Sequence, residues 1–300
     1  MKIASSLKTA SGMICAPWLF AAARAANSPW LLRMALGSDP HYVRAETALA
    51  CEWGSHDVAG QLRIASALAA ISKREVASRV KDMLPVSESQ LLQDVFCMLA
   101  LSEKRDGFFV EVGVGDGRHL SNTYMLEKTY GWRGLLVEPN RSFHDSIRRV
   151  RSANLDCRAA AARSGLSVDF EEVLGEGEYS RIAGYGGHVD RGTGTARYVV
   201  ETATLSDILE AHRAPEHIDY ISIDTEGNET DVLEGLDFSR YQFDVLTIEH
   251  NFDRQRLTKI NCLLAQHHYR SVLSGISSFD AWFVHKDVDL SALPGLARRA

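Results

Sequence analysis

Apolar and polar positions change their period along this chain. From Tyr42 to about Met83 the pattern is helical, with Val58, Leu62, Ala65 and Ala69 recurring on one stripe. Gly54-Ser55-His56-Asp57 supplies a breaker and capping residues, and Leu84-Pro85 ends the stretch. From Ser87 onward, short apolar runs alternate with amphipathic ones. Strands are expected at Gly107–Val112, Gly134–Glu138, Leu155–Ala160, Ile218–Asp224 and Phe243–Glu249. Mostly apolar runs of this length suit parallel strands buried on both faces. Helices are expected at Leu120–Tyr130, Ser142–Arg151, Leu205–His212, Glu229–Leu236 and Arg254–His267. Thr204, followed three residues later by Asp207, reads as a capping box. Two late runs, Tyr269–Leu273 and Ala281–His285, bracket a turn and should pair antiparallel.

Strands alternating with helices imply right-handed crossovers. The fold expected is α/β: a Rossmann-like, doubly wound, mostly parallel sheet with an antiparallel last strand, preceded by a small helical N-terminal region. Residues 1–86 form that region and residues 87–300 the α/β domain. Residues 171–197 break the rhythm with seven glycines. A long glycine-rich insertion in a compact domain is commonly a functional loop, so a substrate-covering role is expected there.

Composition narrows the class of function. Net charge is −6, and most of the acid excess lies after residue 100. That argues against nucleic-acid binding through a basic face, which needs clustered Lys and Arg. The five cysteines (Cys15, Cys51, Cys97, Cys157 and Cys262) form no CxxC pair and read as reduced thiols. Residues 9–23 faintly resemble a signal peptide, but Pro17 interrupts the apolar run and Arg24 occupies the cleavage region. No run reaches the ~18 apolar residues of a membrane span. The expected location is cytoplasmic.

The informative constellation is Glu111-Val112-Gly113-Val114-Gly115-Asp116-Gly117, at the end of the first strand, with Glu138 ending the second. Glycines there allow a sharp turn and close ligand approach, and an acid ending the next strand accepts ribose hydroxyls. A pyrophosphate needs bare amides at a helix N-terminus, and Asp116 would repel it. A sulfonium cation with an amino-acid ammonium tolerates nearby acids, so S-adenosyl-L-methionine is favoured over NAD. The candidate cofactor residues are Glu111, Gly113, Gly115, Asp116, Glu138 and Asp224.

FFVEVGVGDGRHLSNTYMLEK, GWRGLLVEPN, ISIDTEGNETDVLEG and LTIEHN, in that order, resemble the FkbM-type S-adenosylmethionine-dependent methyltransferases over roughly Ser89 to Val288. The resemblance implies O-methylation of a hydroxyl on a saccharide or secondary metabolite. It maps Glu111, Gly113 and Gly115 onto the cofactor loop, and Glu138 onto the ribose acid. Asp224, Glu226 and Gly227 fall on the D-x-E-G signature, and Glu249 and His250 on the motif after the fifth strand.

In-line transfer from a sulfonium requires a positioned acceptor oxygen and removal of its proton. His250 is the first choice of base, because its ordinary pKa lies near neutrality. Asp224 is the second, and Glu249 completes the catalytic set. No metal is assigned. The alternative is Mg²⁺ held by Asp224, Glu249 and His250, with Glu226 and Asn251 as further donors. Two other functions remain: a nucleotide-dependent oxidoreductase, and a non-catalytic cofactor-binding adaptor. Ser121-Asn122-Thr123 are expected to cap the first helix. Gln90 and Asp94 belong to a surface helix or close over the site. Trp132 and Trp282 are expected in the core, and His267-His268 at a helix end.

Overall fold

A computed structural model describes residues 56–72, 79–80, 82–186 and 194–297. The part of the expected N-terminal helix before His56, and the apolar stretch at 9–23, lie outside the described residues. The chain divides into two compact units: Met1–Ser102 with Leu290–Ala300, and Glu103–Asp289.

In the first unit, helix α1 (His56–Ile71) buries Gln61, Ile64, Ala65 and Leu68. Their i, i+3, i+4, i+7 spacing is one helical face. Ala65 is on it as expected, whereas Ala69 is only half-buried; the larger Ile64 and Leu68 set the face. Helix α2 (Gln93–Ala100) is buried at every residue, which corrects the surface-helix expectation. Asp94 accepts a hydrogen bond from the Ser87 hydroxyl (2.7 Å), and the Gln61 amide donates to the Ser89 carbonyl (3.0 Å). Both bonds fasten segments within this unit.

Among the described residues, the second unit holds eleven strands: β1 (Phe108–Val112), β2 (Arg133–Val137), β3 (Asn154–Asp156), β4 (Ala159–Ala160), β5 (Ser167–Val173), β6 (Arg181–Ile182), β7 (Thr195–Ala203), β8 (His217–Ile223), β9 (Gln242–Glu249), β10 (Tyr269–Val272) and β11 (Asp280–His285). Seven of them make one sheet in the order β10-β11-β9-β8-β1-β2-β3. Neighbours from β3 across to β9 are parallel, and β11 runs antiparallel between β9 and β10. The mostly parallel Rossmann-like sheet with an antiparallel last strand is therefore present. Its helices are α3 (Tyr124–Tyr130), α4 (His144–Val150), α5 (Leu205–Ala211), α6 (Glu229–Glu234) and α7 (Arg254–Gln266). Val110, Val112, Leu135, Val137, Ile221, Ile223, Leu246 and Ile248 form the middle of the core. Trp132 and Trp282 are buried as expected, and His267 caps the end of α7. The Thr204 hydroxyl accepts from the Asp207 amide (3.1 Å), so the capping box starts α5 where it was expected.

Two expectations fail in instructive ways. The single strand expected at Leu155–Ala160 is split: β3 ends the main sheet, while β4 belongs to a second, four-stranded sheet ordered β4-β7-β5-β6. Residues 171–197 are not simply a loop. Their ends continue β5 and β7, which pair antiparallel from Ser167↔Glu201 to Val173↔Thr195. Phe170, Ile182 and Val200 with Ala159 make that sheet's own small core, and Tyr198 packs against it. The helix expected from Leu120 starts at Tyr124, because Ser121, Asn122 and Thr123 are drawn into side-chain bonds described below.

Candidate active site

The site is built at the carboxyl ends of β2, β1, β8 and β9, the edge of an open α/β sheet where ligands bind. Main-chain bonds tie the strand ends together: Gly113 N–H donates to the Val137 carbonyl (3.0 Å) and Asp224 N–H to the Val112 carbonyl (2.9 Å). Gly113 has φ +82°, and a Cβ there would lie 1.6 Å from the Asp224 carbonyl oxygen. Only glycine lets these two loops meet. Gly115 also has a positive φ, +58°, but its nearest neighbour would be Glu178 Cγ at 4.0 Å. The first glycine is a packing requirement; the second leaves the backbone open to a ligand.

Acids on the glycine-loop side are tied down. Glu138 accepts from the amides of Val114 (2.8 Å), Gly115 (3.0 Å) and Asn140 (2.8 Å). Burial pushes its carboxyl up to about 7 against the pull of those amides. Asp116 accepts from the amides of Arg118 (2.8 Å) and His119 (2.7 Å) and so shapes its own turn. Glu111 is buried. It accepts from the hydroxyls of Ser121 (2.9 Å) and Thr123 (2.6 Å) and from the Asn122 amide (2.7 Å), and the Arg151 guanidinium lies 3.4 Å away. Ser121 Oγ in turn accepts from the Tyr124 amide (3.1 Å), which caps α3.

On the other side, Asp224, Glu226 and Glu249 converge, with one carboxylate oxygen of each within 4.8 Å of the others. Asn251 Nδ2 donates to Glu249 (2.7 Å) and to Glu226 (3.3 Å). Burial, and then the charge of Glu229, raises Asp224 to about 7. Burial, and then the Asp224 charge, holds Glu249 well above the ordinary carboxylate range. The pKa of each is raised by burial and by the charge of its carboxylate neighbours, so the two carboxyls resist ionising together. The nearby cation does not relieve them. Arg256 on α7 is ion-paired with buried Glu229 at 3.0 Å, and Glu229 also accepts from the amides of Thr225 (3.1 Å) and Gly227 (2.8 Å).

His250 is buried, and burial lowers its pKa, so it is neutral at pH 7. Its Nδ1 has no hydrogen-bond partner. Among the described residues, the convergent group contains Glu226 rather than His250. The expected metal trio of Asp224, Glu249 and His250 is therefore not the one that assembles. Glu226 (φ +57°), Asn251 (φ +48°) and Phe252 (φ +58°) flank the cluster in left-handed conformations. Non-glycine residues adopt this region rarely and at a cost, and such residues concentrate at functional sites.

Residues on the segment between β5 and β7 reach both halves. Glu178 lies over Gly115, and its carboxylate is 3.9 Å from His119 Nδ1. A Cβ on Gly186 would lie 2.7 Å from the Glu226 carbonyl, and the Tyr185 hydroxyl donates to Asp231 on α6. Asn140, beside Glu138, donates to Ser180 Oγ (3.1 Å). Sequence reasoning missed Glu178, Tyr185, Glu229 and Arg256 as site-building residues. The alternation Val168-x-Phe170 opposite Tyr198-x-Val200 was the available signal for the second sheet; Arg256 carried none.

The glycine loop, the strand-end acid Glu138 and the convergent carboxylates Asp224, Glu226 and Glu249 share the carboxyl edge of one α/β sheet. The family model "Methyltransferase FkbM domain" matches residues 111–273, more than half of the chain. The chain belongs to the FkbM methyltransferase family. No curated protein is significantly similar to it in sequence. Similar solved structures include the precorrin-6y C5,15-methyltransferase of Geobacter metallireducens GS-15 (14% identity, 64% of this chain and 85% of that one, TM-score 0.34). A methyltransferase of Pyrococcus furiosus is similar at 13% identity, over 64% of this chain and 81% of that one, with TM-score 0.33. The CurJ carbon methyltransferase is similar at 10% identity, over 80% and 69%, with TM-score 0.33.

Proposed function

We propose that this methyltransferase uses S-adenosyl-L-methionine to methylate a hydroxyl of a saccharide or secondary metabolite. The observation that carries this reading is the convergence of Asp224, Glu226 and Glu249 beside the glycine loop, where a Cβ on Gly113 would lie 1.6 Å from the Asp224 carbonyl oxygen. The cofactor-side residues suit the group: Gly115 leaves open backbone, and Glu138 is held at the end of β2 by three amides. When bound, S-adenosylmethionine supplies a methyl group on a cationic sulfur. Glu138 would take the ribose hydroxyls, and the acids around Asp224 would favour the cationic end of the ligand.

The chain's own residues handle the acceptor's proton. In its ionised form either carboxylate of the pair accepts the proton of an acceptor hydroxyl, and the raised pKa makes it a stronger base than an ordinary carboxylate. A base with a pKa near 7 is matched to a neutral operating pH. Asn251 keeps Glu249 oriented. His250, with its unpartnered Nδ1 outside the cluster, acts in positioning the end of β9, and the base role passes to Asp224 and Glu249.

The carboxylate cluster itself favours one second reading. Asp224, Glu226 and Glu249 offer three oxygens of the hard type that Mg²⁺ prefers. Calorimetric titration with S-adenosylmethionine, S-adenosylhomocysteine and NAD, each with Mg²⁺ and with EDTA, separates these readings. Binding of the first two, not NAD, and no effect of EDTA on turnover of a saccharide panel is the expected result. NAD binding would replace the methyltransferase mechanism with hydride chemistry, and EDTA-sensitive turnover would move the base role to a cation.

A further inference from the structure

The turn after β9 carries a feature that the folding of the unit does not require. Phe252 is 68% exposed, a large aromatic side chain held out in solvent. Its backbone is left-handed (φ +58°), as is that of Asn251 before it. The turn is nevertheless firmly built. The amides of His250 (2.8 Å) and Asn251 (3.1 Å) both donate to the Phe279 carbonyl, and the Asp253 amide donates to the His250 carbonyl (2.8 Å). Asp253 then caps α7 by accepting from the amides of Gln255 (2.8 Å) and Arg256 (3.1 Å). The ring of Phe279 meets Phe252 edge-on with centroids 6.2 Å apart, and His250 meets it in the same manner at 6.3 Å.

A strained, rigid turn that displays an unburied phenyl ring gains nothing for the core and loses conformational freedom. Its neighbours say what it faces. The residue before it, Asn251, bonds Glu249 and Glu226, so Phe252 follows directly in the chain on a residue that holds the carboxylate cluster. Aromatic faces with polar groups beside them receive ligands that are apolar on one side and hydroxylated at the edge.

We propose that Phe252 is an acceptor-binding residue: a stacking platform for the C–H face of a ring-shaped, hydroxylated acceptor, with Phe279 and His250 fixing its orientation edge-on. The stacked ring would present a hydroxyl at its edge to Asp224 and Glu249, while Asn251 and Glu226 bond its neighbours. This assignment rests on the proposed O-methyltransferase reading and adds to it the residue that selects for a ring.

The test uses the full chain loaded with S-adenosylhomocysteine, whose binding is measured first by calorimetry. Methyl glycosides of glucose, mannose and rhamnose are then titrated and read by saturation-transfer NMR. At least one is expected to bind wild type, Phe252→Ala to weaken it at least ~5-fold, and Phe252→Tyr to restore it. The affinity for S-adenosylhomocysteine and the melting temperature stay unchanged, because the side chain is exposed. The assignment is overturned if Phe252→Ala binds the glycoside as wild type does, or if no glycoside binds the loaded protein. It is also overturned if sedimentation shows that wild type pairs through this residue and Phe252→Ala does not. Failure to bind S-adenosylhomocysteine at the outset would instead overturn the methyltransferase mechanism itself.

Discussion

The two halves of the site treat their carboxylates in opposite ways. Around the glycine loop, each acid has donors matched to it: Glu138 and Asp116 have backbone amides, and Glu111 has two hydroxyls, an amide and Arg151. Around the ends of β8 and β9, Asp224 and Glu249 face each other, while the nearest guanidinium is committed to Glu229. Burial raises the carboxyl on either side, Glu138 as well as Asp224. What differs is the company: Glu138 is held by three amides, whereas Asp224 and Glu249 are raised further by the charge of their carboxylate neighbours.

The largest effect expected from breaking this arrangement comes from the glycine that touches both halves. Gly113→Ala puts a methyl group 1.6 Å from the Asp224 carbonyl oxygen, an overlap that no side-chain movement relieves. The expected outcome is insoluble protein, or a chain whose melting temperature falls by more than ~10 °C and that binds no cofactor; thermal denaturation and calorimetry check this. Gly115→Ala sharpens the point. Its Cβ meets nothing closer than 4.0 Å, so the cost is the left-handed backbone, roughly 1 kcal/mol, with cofactor affinity reduced about tenfold. Equal damage from both substitutions would show that the glycines do not divide packing from binding.

Next in size are Asp224→Asn and Glu249→Gln. Removing a positioned base typically lowers turnover by about 10²–10⁴. Here kcat should fall by that order while cofactor affinity changes less than about threefold. The wild-type rate should rise with pH through about 7 as Asp224 ionises. In Asp224→Asn the remaining carboxyl loses a like charge, so any residual rate rises at lower pH. Stability moves in the opposite sense to activity. The folded pKa of Asp224 is raised from 3.8 to about 7, so its stabilising contribution is full below pH ~4 and lost as pH rises through 7. Asp224→Asn cannot ionise and escapes that loss. It should be more stable than wild type above pH ~7.5, on the order of 1–2 kcal/mol after discounting for partial exposure, and close to wild type near pH 4. A melting-temperature series across pH reads both sign and window.

The cofactor side responds less. Glu138→Gln keeps one acceptor oxygen, enough for the amides of Val114 and Gly115, but turns an NH2 toward the Asn140 amide and loses the charge. A roughly tenfold weaker affinity for S-adenosylhomocysteine is expected, about 1.4 kcal/mol. The melting temperature should hold or rise slightly at pH 8, because a buried charge has gone. Affinity unchanged within twofold would remove Glu138 from the ligand's contacts.

Much of this was legible before any coordinates. The main sheet follows from runs such as Phe109-Val110-Glu111-Val112 and Ile221-Ser222-Ile223, because parallel strands buried on both faces write their apolar pattern directly into the sequence. Asp224 and Glu249 were chosen because they end such runs, and His250 for its ordinary pKa. What no run of residues carries is environment, and burial depresses this histidine's pKa while raising those of its carboxylate neighbours. The second sheet was hidden by glycines, which signal breaks more loudly than a seven-residue strand signals pairing. Arg256 was hidden for another reason. Its partner Glu229 is twenty-seven residues earlier on a different element, and only the folded chain brings the two within 3.0 Å.

The smallest effect asks whether the second sheet supports the cofactor side. The Tyr198 hydroxyl on β7 donates to Asn140 Oδ1 (3.3 Å) and accepts from the Arg141 amide (3.1 Å), and the Arg141 guanidinium lies over its ring at 4.3 Å. The Asn140 amide in turn holds Glu138 Oε1 at 2.8 Å. Tyr198→Phe deletes the hydroxyl and keeps the ring. A net loss of about 0.5–1.5 kcal/mol is expected, spread between the melting temperature and a twofold to fourfold weaker cofactor affinity. The control is Ser180→Ala, which removes a second contact of Asn140, at its Nδ2 (3.1 Å), while Ser142 still donates to Asn140 Oδ1 in every variant. If the chain Tyr198–Asn140–Glu138 transmits support, the double variant should lose more affinity than the product of the two single losses, because each single variant leaves the other of these two bonds in place. Additive losses would mean that the second sheet stabilises its own fold and that Glu138 is positioned by the main sheet alone.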